Sequence, residues 1–234
     1  LATMQGAGAL DDPALLTEGY RQCAKLTWRY GPTYFWGAAL LAKPQRKHVH
    51  AIYALCRLAD DIVDLPNGQH PIGYESNVVP TESDAIPTEP DPTLPENDEP
   101  RFAESDGLHP EPVEGRATVR DRLEDFAARF RSGLVAGDSR DPVMAAVVDT
   151  VITCDIDPEC FDRFFGAMAM DLSTTSYQTW EDLRTYMEGS AAVIGEMMLP
   201  VLEPVGRAAR APARSLGLAF QLTNFLRDID EDLD

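Results

Sequence analysis

Long apolar runs are missing from this 234-residue chain. No stretch approaches the ~18 consecutive apolar residues of a membrane-spanning helix. No basic-then-apolar leader opens it, so a secretion signal is not expected. Cations are scarce: 20 Lys and Arg stand against 39 Asp and Glu, for a net charge of −19. A nucleic-acid partner is therefore not expected, because phosphate-backbone binding needs clustered Lys and Arg. Cysteine is sparse as well. Cys23, Cys56, Cys154 and Cys160 form neither a Cys-x-x-Cys pair nor a cluster with histidine. Such usage points to a reducing compartment, and the expected location is cytoplasmic. Alternating strand patterns and a Gly-x-Gly-x-x-Gly are also lacking.

What is present is helical. Asp12-Pro13 reads as an N-cap followed by proline at the first helical position, opening a helix to about Tyr30. Pro44 opens another that runs through Asp64. Asp141-Pro142 and Asp157-Pro158 repeat the start signal. Thr179 precedes a helix to about Leu199, limited by Pro200. A last helix is expected from about Pro212 to the end. The fold class is all-α, and 44% apolar residues suffice for one sizeable core. A single domain over residues 1–234 is expected.

Residues 66 to about 117 differ in kind. Ten prolines fall there, with twelve Asp and Glu against Arg101 and Arg116. Such a stretch buries too little apolar surface to offset its ordering entropy. It is expected to be a disordered or loosely draped insertion between two core helices, an inert linker, with a lid over the site as the alternative.

Two acidic patterns carry the chemistry. The first is Tyr53-Ala-Leu-Cys-Arg57-Leu-Ala-Asp60-Asp61-Ile-Val-Asp64, and the second is Gln221-Leu-Thr-Asn224-Phe-Leu-Arg227-Asp228-Ile-Asp230-Glu231-Asp232. At about 100° per residue, Tyr53, Arg57, Asp60 and Asp64 share a stripe roughly 60° wide; Gln221, Asn224, Asp228 and Asp232 share one of roughly 80°. The plain alternative is a pair of amphipathic helices with solvated polar faces. Asp is a poor helix former, however, and solvated faces more often use Glu and Lys. Two such faces turned toward each other can hold divalent metal and, through it, a diphosphate.

At these motifs the sequence resembles the phytoene synthase and squalene synthase family, the head-to-head prenyl synthases. Tyr34-Phe-Trp-Gly-Ala-Ala-Leu-Leu, Gln45-Arg46-Lys47, Gly166-Ala-Met-Ala-Met-Asp171-Leu, Tyr177, Asp182, Tyr186 and Gly195 follow in the family's order. The resemblance implies a single helical bundle of the isoprenoid synthase type, with both acidic helices facing a deep central cavity. It implies Asp60 and Asp64 as metal ligands on one wall, and Asn224, Asp228 and Asp232 on the other, with Asp61 and Glu231 as adjacent carboxylates. Arg57 and Arg227 would grip diphosphate oxygens, and Tyr53, Tyr186 and Gln221 would surround the ionising substrate. The metal would be Mg2+, with Mn2+ as an alternative.

The local style of Tyr186-Met-Glu-Gly-Ser-Ala-Ala-Val-Ile-Gly is closest to bacterial phytoene synthases. That implies condensation of two geranylgeranyl diphosphates to phytoene for carotenoid synthesis, without NADPH. A farnesyl-using sister making squalene or dehydrosqualene is the alternative. An assembly factor without activity is the alternative of another class, although such members generally lose the acids kept here. The apolar product is compatible with peripheral contact at the inner face of a membrane.

Several positions depart from the family. Gly31-Pro32-Thr33 replaces a Ser-Lys-Ser-like stretch that contacts diphosphate in relatives, leaving Thr33 as the candidate hydroxyl there. Glu188 and Glu196 stand where relatives are mostly uncharged, and both are expected to turn outward, since a buried carboxylate is costly. His48 and His50 are expected to be a solvated pair. Phe35, Trp36, Phe164, Phe165, Met168, Val193, Ile194, Met197 and Met198 are read as lining or core, with core favoured for most. Family members continue past the second motif, so the chain from Leu1 to Asp234 is expected to be trimmed, without the family's C-terminal helices.

Overall fold

Side chains of Asp12, Thr118, Asp141 and Thr179 cap the starts of four described helices. The computed structural model describes residues 12–64, 118–174, 176–204 and 207–232, with backbone alone for residues 207 and 227–232. The acidic, proline-rich insertion lies outside the described residues. Helix α1 is Pro13–Tyr30, with the Asp12 carboxylate accepting from the backbone N–H groups of Ala14 and Leu15. A short α2, Pro32–Ala39, leads to α3, Lys43–Asp64. Beyond the insertion come α4, Val119–Ala136, then α5, Pro142–Thr153, and α6, Glu159–Asp171. A capping box between Thr179 and Asp182 starts α7, Trp180–Met187. A π-helical turn, Glu188–Ala192, joins it to α8, Val193–Leu202. A 3-10 turn, Arg207–Ala209, precedes α9, Arg210–Asp232. No strand occurs among the described residues, and none of their helices is long and apolar enough to cross a membrane.

Helix α3 is the centre of the bundle. It packs against α1, α2, α4, α5, α6 and α8, and Ala51, Ile52, Ala54, Leu55 and Ala59 lose essentially all solvent contact. Phe130 and Phe161 pack at 4.7 Å between ring centroids, with Phe165 alongside. Phe164, Phe165, Met168, Val193 and Met197 are core residues.

Two helices come in addition to those expected, and two boundaries are refined. Helices α2 and α4 were not foreseen, although Thr118 and Asp121 form a capping box at the start of α4. The expected helix ending near Leu199 is broken by the π-turn and then continues through Pro200 to Leu202. Proline there costs one bond in the last turn, which the bundle tolerates. The last helix begins two residues before Pro212, whose missing N–H is harmless in a first turn.

His48 and His50 are buried, because α3 is wrapped from several sides. His48 Nδ1 lies 2.9 Å from the Thr150 hydroxyl, while the Tyr20 hydroxyl donates to Asp149 at 2.5 Å. His50 stacks on Phe35 at 5.2 Å.

Candidate active site

The acidic face lies in the C-terminal half of α3. Tyr53, Arg57 and Asp60 are half-buried along it, and Asp64 is exposed at the end. Tyr53 is held from behind: a Cβ on Gly31 would stand 2.6 Å from the Tyr53 hydroxyl. A side chain at position 31 would push the Tyr53 ring out of its place. The Tyr34 ring lies 5.6 Å from that of Tyr53. Thr33, in the first turn of α2, is exposed.

Asp61 faces away from its neighbour. It is 3% exposed and ion-paired to the Arg57 guanidinium at 2.6 Å. Arg57 also lies over the Tyr30 ring, 4.8 Å from its centroid. A planar guanidinium held by a carboxylate on one side and an aromatic face on another is restrained in direction. Asp61 therefore supports Arg57 rather than extending the acidic stripe.

Negative charge accumulates at Asp60. Burial, then the neighbouring Asp64, pushes its carboxyl up to about 7 against the opposing pull of Arg57, and Asp61 and Asp171 add to the rise. Asp64 is raised too, by burial and by Asp61, with Arg57 opposing. These groups offer only oxygen donors, the kind preferred by hard divalent cations. Among the described residues no three His, Cys, Asp or Glu side chains form a metal-sized group.

Asp171, at the end of α6, was quoted in the family motif but given no role. It accepts a hydrogen bond from the Tyr186 hydroxyl at 2.9 Å, and its charge reaches Asp60. Fifteen residues separate the two, so no local spacing in the sequence pairs them. Burial and the Asp171 charge raise the Tyr186 phenol, which stays a neutral donor. Its ring contacts Tyr177 at 5.4 Å and Phe225, on α9, at 6.4 Å.

Beside Phe225, Gln221 and Asn224 are half-buried on α9. Asp60, Asp171, Tyr186 and Phe225 thus form a chain of contacts and charge interactions from α3 to α9. Arg227, Asp228, Glu231 and Asp232 lie on the same helix backbone, and their side chains fall outside the described residues.

Glu188 and Glu196 do not turn outward. Glu196 is buried and accepts from Arg163, Arg210 and Arg214, whereas Glu188 is half-buried and pairs with Arg214. Burial alone would raise the Glu196 carboxyl, but the three guanidiniums hold it at about 2. The expected cost of burial is met by partners brought from other helices.

Comparison with known proteins identifies the family. The chain is 30% identical over 224 residues to "Phytoene synthase, chloroplastic" of Daucus carota, covering 93% of this chain and 44% of that protein. It is 29% identical over 231 residues to "15-cis-phytoene synthase" of Synechococcus elongatus, covering 94% and 59%. The chain thus spans about half the length of these curated relatives. Among solved structures it resembles squalene synthase HpnC from Alicyclobacillus acidocaldarius, with a TM-score of 0.66 at 22% identity, over 94% of this chain and 65% of that one. A dehydrosqualene synthase in complex with ligand gives 0.64 at 22% identity, over 94% and 60%. These two similarities are of fold. The family model for squalene/phytoene synthase matches residues 28–234, a span containing both acidic motifs and the Asp171–Tyr186 pair, and the chain belongs to that family.

Proposed function

We propose that this chain carries out Mg2+-dependent head-to-head condensation of two geranylgeranyl diphosphates, through a cyclopropyl diphosphate, to phytoene. The observation that carries this reading is the Asp60–Asp64 face beside Tyr186, in a chain whose curated relatives are named phytoene synthases. In this reading Asp60 and Asp64 hold metal from one side, and Asn224, Asp228 and Asp232 from the other. The charge crowded at Asp60 is what a cation relieves, so the donor set fits. Bound Mg2+ would stabilise the charge that develops on departing diphosphate.

The protein's own groups do the rest. Arg57, aimed by Asp61 and Tyr30, grips diphosphate oxygens. Arg227 serves from α9, and Thr33 offers a hydroxyl at the start of α2. Tyr53 and Gln221 border the ionising substrate. Tyr186 presents a neutral phenol, its hydroxyl fixed by donation to Asp171, beside the ionising substrate. The allylic cation would need an apolar enclosure to keep it from water.

A second reading uses farnesyl diphosphate to make squalene or dehydrosqualene. It is favoured by the names of the two solved structures of similar fold. The test is an organic-phase product assay on the natural protein with Mg2+ and either diphosphate, with and without NADPH. A C40 hydrocarbon made without NADPH and lost with a chelator supports phytoene synthesis. A C30 product supports the second reading. Absence of product from either substrate overturns both.

A further inference from the structure

Glu196 is the buried carboxylate around which three helices meet. Arg163 of α6 donates to it from two nitrogens, at 3.1 and 2.9 Å. Arg210 donates at 3.0 and 2.6 Å, and Arg214 donates to its other oxygen. Arg210 and Arg214 stand one turn apart on α9. Arg214 also reaches Glu188 in the π-turn, which Arg184 approaches at 3.8 Å. The cluster borders a cleft of about 570 Å3 lined by Arg163, Arg184, Glu188 and Arg214, among others. Tyr186 is absent from that lining.

Elsewhere α9 meets α8 and the π-turn through close backbone approaches. A Cβ on Gly195 would collide with the Ala213 carbonyl, and one on Gly217 with the Ala191 carbonyl. These close approaches, with Leu218 and Phe225 packed on the core, limit how α9 can sit, but none of them is directional. The outer face of α9 adds nothing, since Leu216, Phe220 and Leu226 are exposed. Directional, bidentate charge-assisted bonds are the features that discriminate. Buried ion clusters contribute modestly to net stability, and register selection is their best-attested use.

We propose that Glu196 is a positioning residue: through Arg210 and Arg214 it sets the register of α9 on α8, and thereby the placement of Gln221 and Asn224 relative to Tyr186 and the Asp60–Asp64 face. A slip of one helical turn would carry Asn224 about 5.4 Å along the axis. Glu196 touches no reacting atom, and its effect on catalysis rests on the site assignment of the preceding subsection.

The test compares Glu196→Gln with Val201→Ala in the natural protein. Val201 is buried on α8, so its truncation opens a cavity without touching the cluster. In Glu196→Gln, half-saturating Mg2+ should rise about threefold to tenfold, with a smaller change in turnover at saturating metal. Amide exchange over residues 210–226 should quicken. Val201→Ala should lower the melting temperature and change neither readout. The proposal fails if Glu196→Gln behaves as Val201→Ala does. Exchange decides the matter even where no product forms, which separates it from the fate of the enzymatic reading. If Glu196→Gln does not fold, Arg210→Gln removes one more exposed anchor and is judged by the same outcomes.

Discussion

The Tyr186 hydroxyl donates to the Asp171 carboxylate across 2.9 Å, joining the end of α6 to the helix before the π-turn. Without that acceptor the phenol would be free to turn about its ring axis. With it, the proton points toward the side of the bundle where Asp60 lies. Tyr186→Phe is expected to lower turnover at least about 100-fold. Asp171→Asn, which keeps an acceptor but loses the charge, should cost about tenfold. Single-turnover measurements with geranylgeranyl diphosphate check both. Equal losses would mean that the charge of Asp171 matters more than the bond.

Asp60 ties metal binding to pH. Its carboxyl titrates near 7 in the metal-free protein, and a protonated acid is a poor ligand. Half-saturating Mg2+ should therefore rise as pH falls below 7, by up to about tenfold per unit. The stability of the metal-free fold runs the opposite way. Between the ordinary carboxylate range and pH 7 the native state holds a proton that the unfolded chain has released, so stability falls as pH rises through that window. Asp60→Asn should stabilise the metal-free fold at pH 7.5 by on the order of 1 kcal/mol, raising its melting temperature, while abolishing turnover. Thermal melts with and without Mg2+ report this directly.

Asp61 and Asp60 are neighbours with different tasks, and their variants should differ in kind. Asp61→Asn loosens the Arg57 guanidinium. It should raise the KM for diphosphate substrate about tenfold, leaving half-saturating Mg2+ within about twofold of the parent. Asp64→Asn should move the metal dependence instead. A titration of each variant against Mg2+ at fixed substrate, then the reverse, separates the two.

His50 gives the protein an acid limit of its own. Burial, reinforced by Arg46, lowers its imidazole to about 4 from an ordinary 6.5. His48 is lowered in the same direction, chiefly by burial. In the window between those values the unfolded chain binds a proton that native His50 refuses. Its share of stability is complete above 6.5 and is lost as pH falls toward 4. His50→Phe keeps a ring to stack on Phe35 and removes the titration. Urea unfolding from pH 7 to 4.5 should show a flatter slope in the variant, by up to about 1.4 kcal/mol per unit.

Local chemistry was legible in the sequence, and long-range chemistry was not. Asp12, Asp141 and Thr179 announced their helices because a cap needs only the next three residues. The stripe from Tyr53 to Asp64 was readable because helical spacing is local. Helix α2 stayed hidden because Gly31-Pro32 looks like a break, whereas it is a corner packed on Tyr53. The burial of Glu196 depends on Arg163, 33 residues earlier, and on Arg210 and Arg214, 14 and 18 residues later. The acceptor for Tyr186 lies on another helix, and the sheltered histidines owe their state to Thr150 and Phe35. No window of sequence contains those meetings.

The π-turn at Glu188–Ala192 has a consequence for length variation. Each residue of an α-helix turns the thread by about 100°, and a wider turn of five residues accommodates what one insertion would add. Trp180–Leu202 is therefore one rod with a slipped thread, its two ends out of phase. Tyr186 is set by one phase and Glu196 by the other. Removing a single residue between 188 and 192 would restore a regular helix, yet swing the arginine-bound carboxylate about a quarter turn or more from its partners. A shortened loop is an ordinary event in evolution; a shortened rod here would unseat one end or the other.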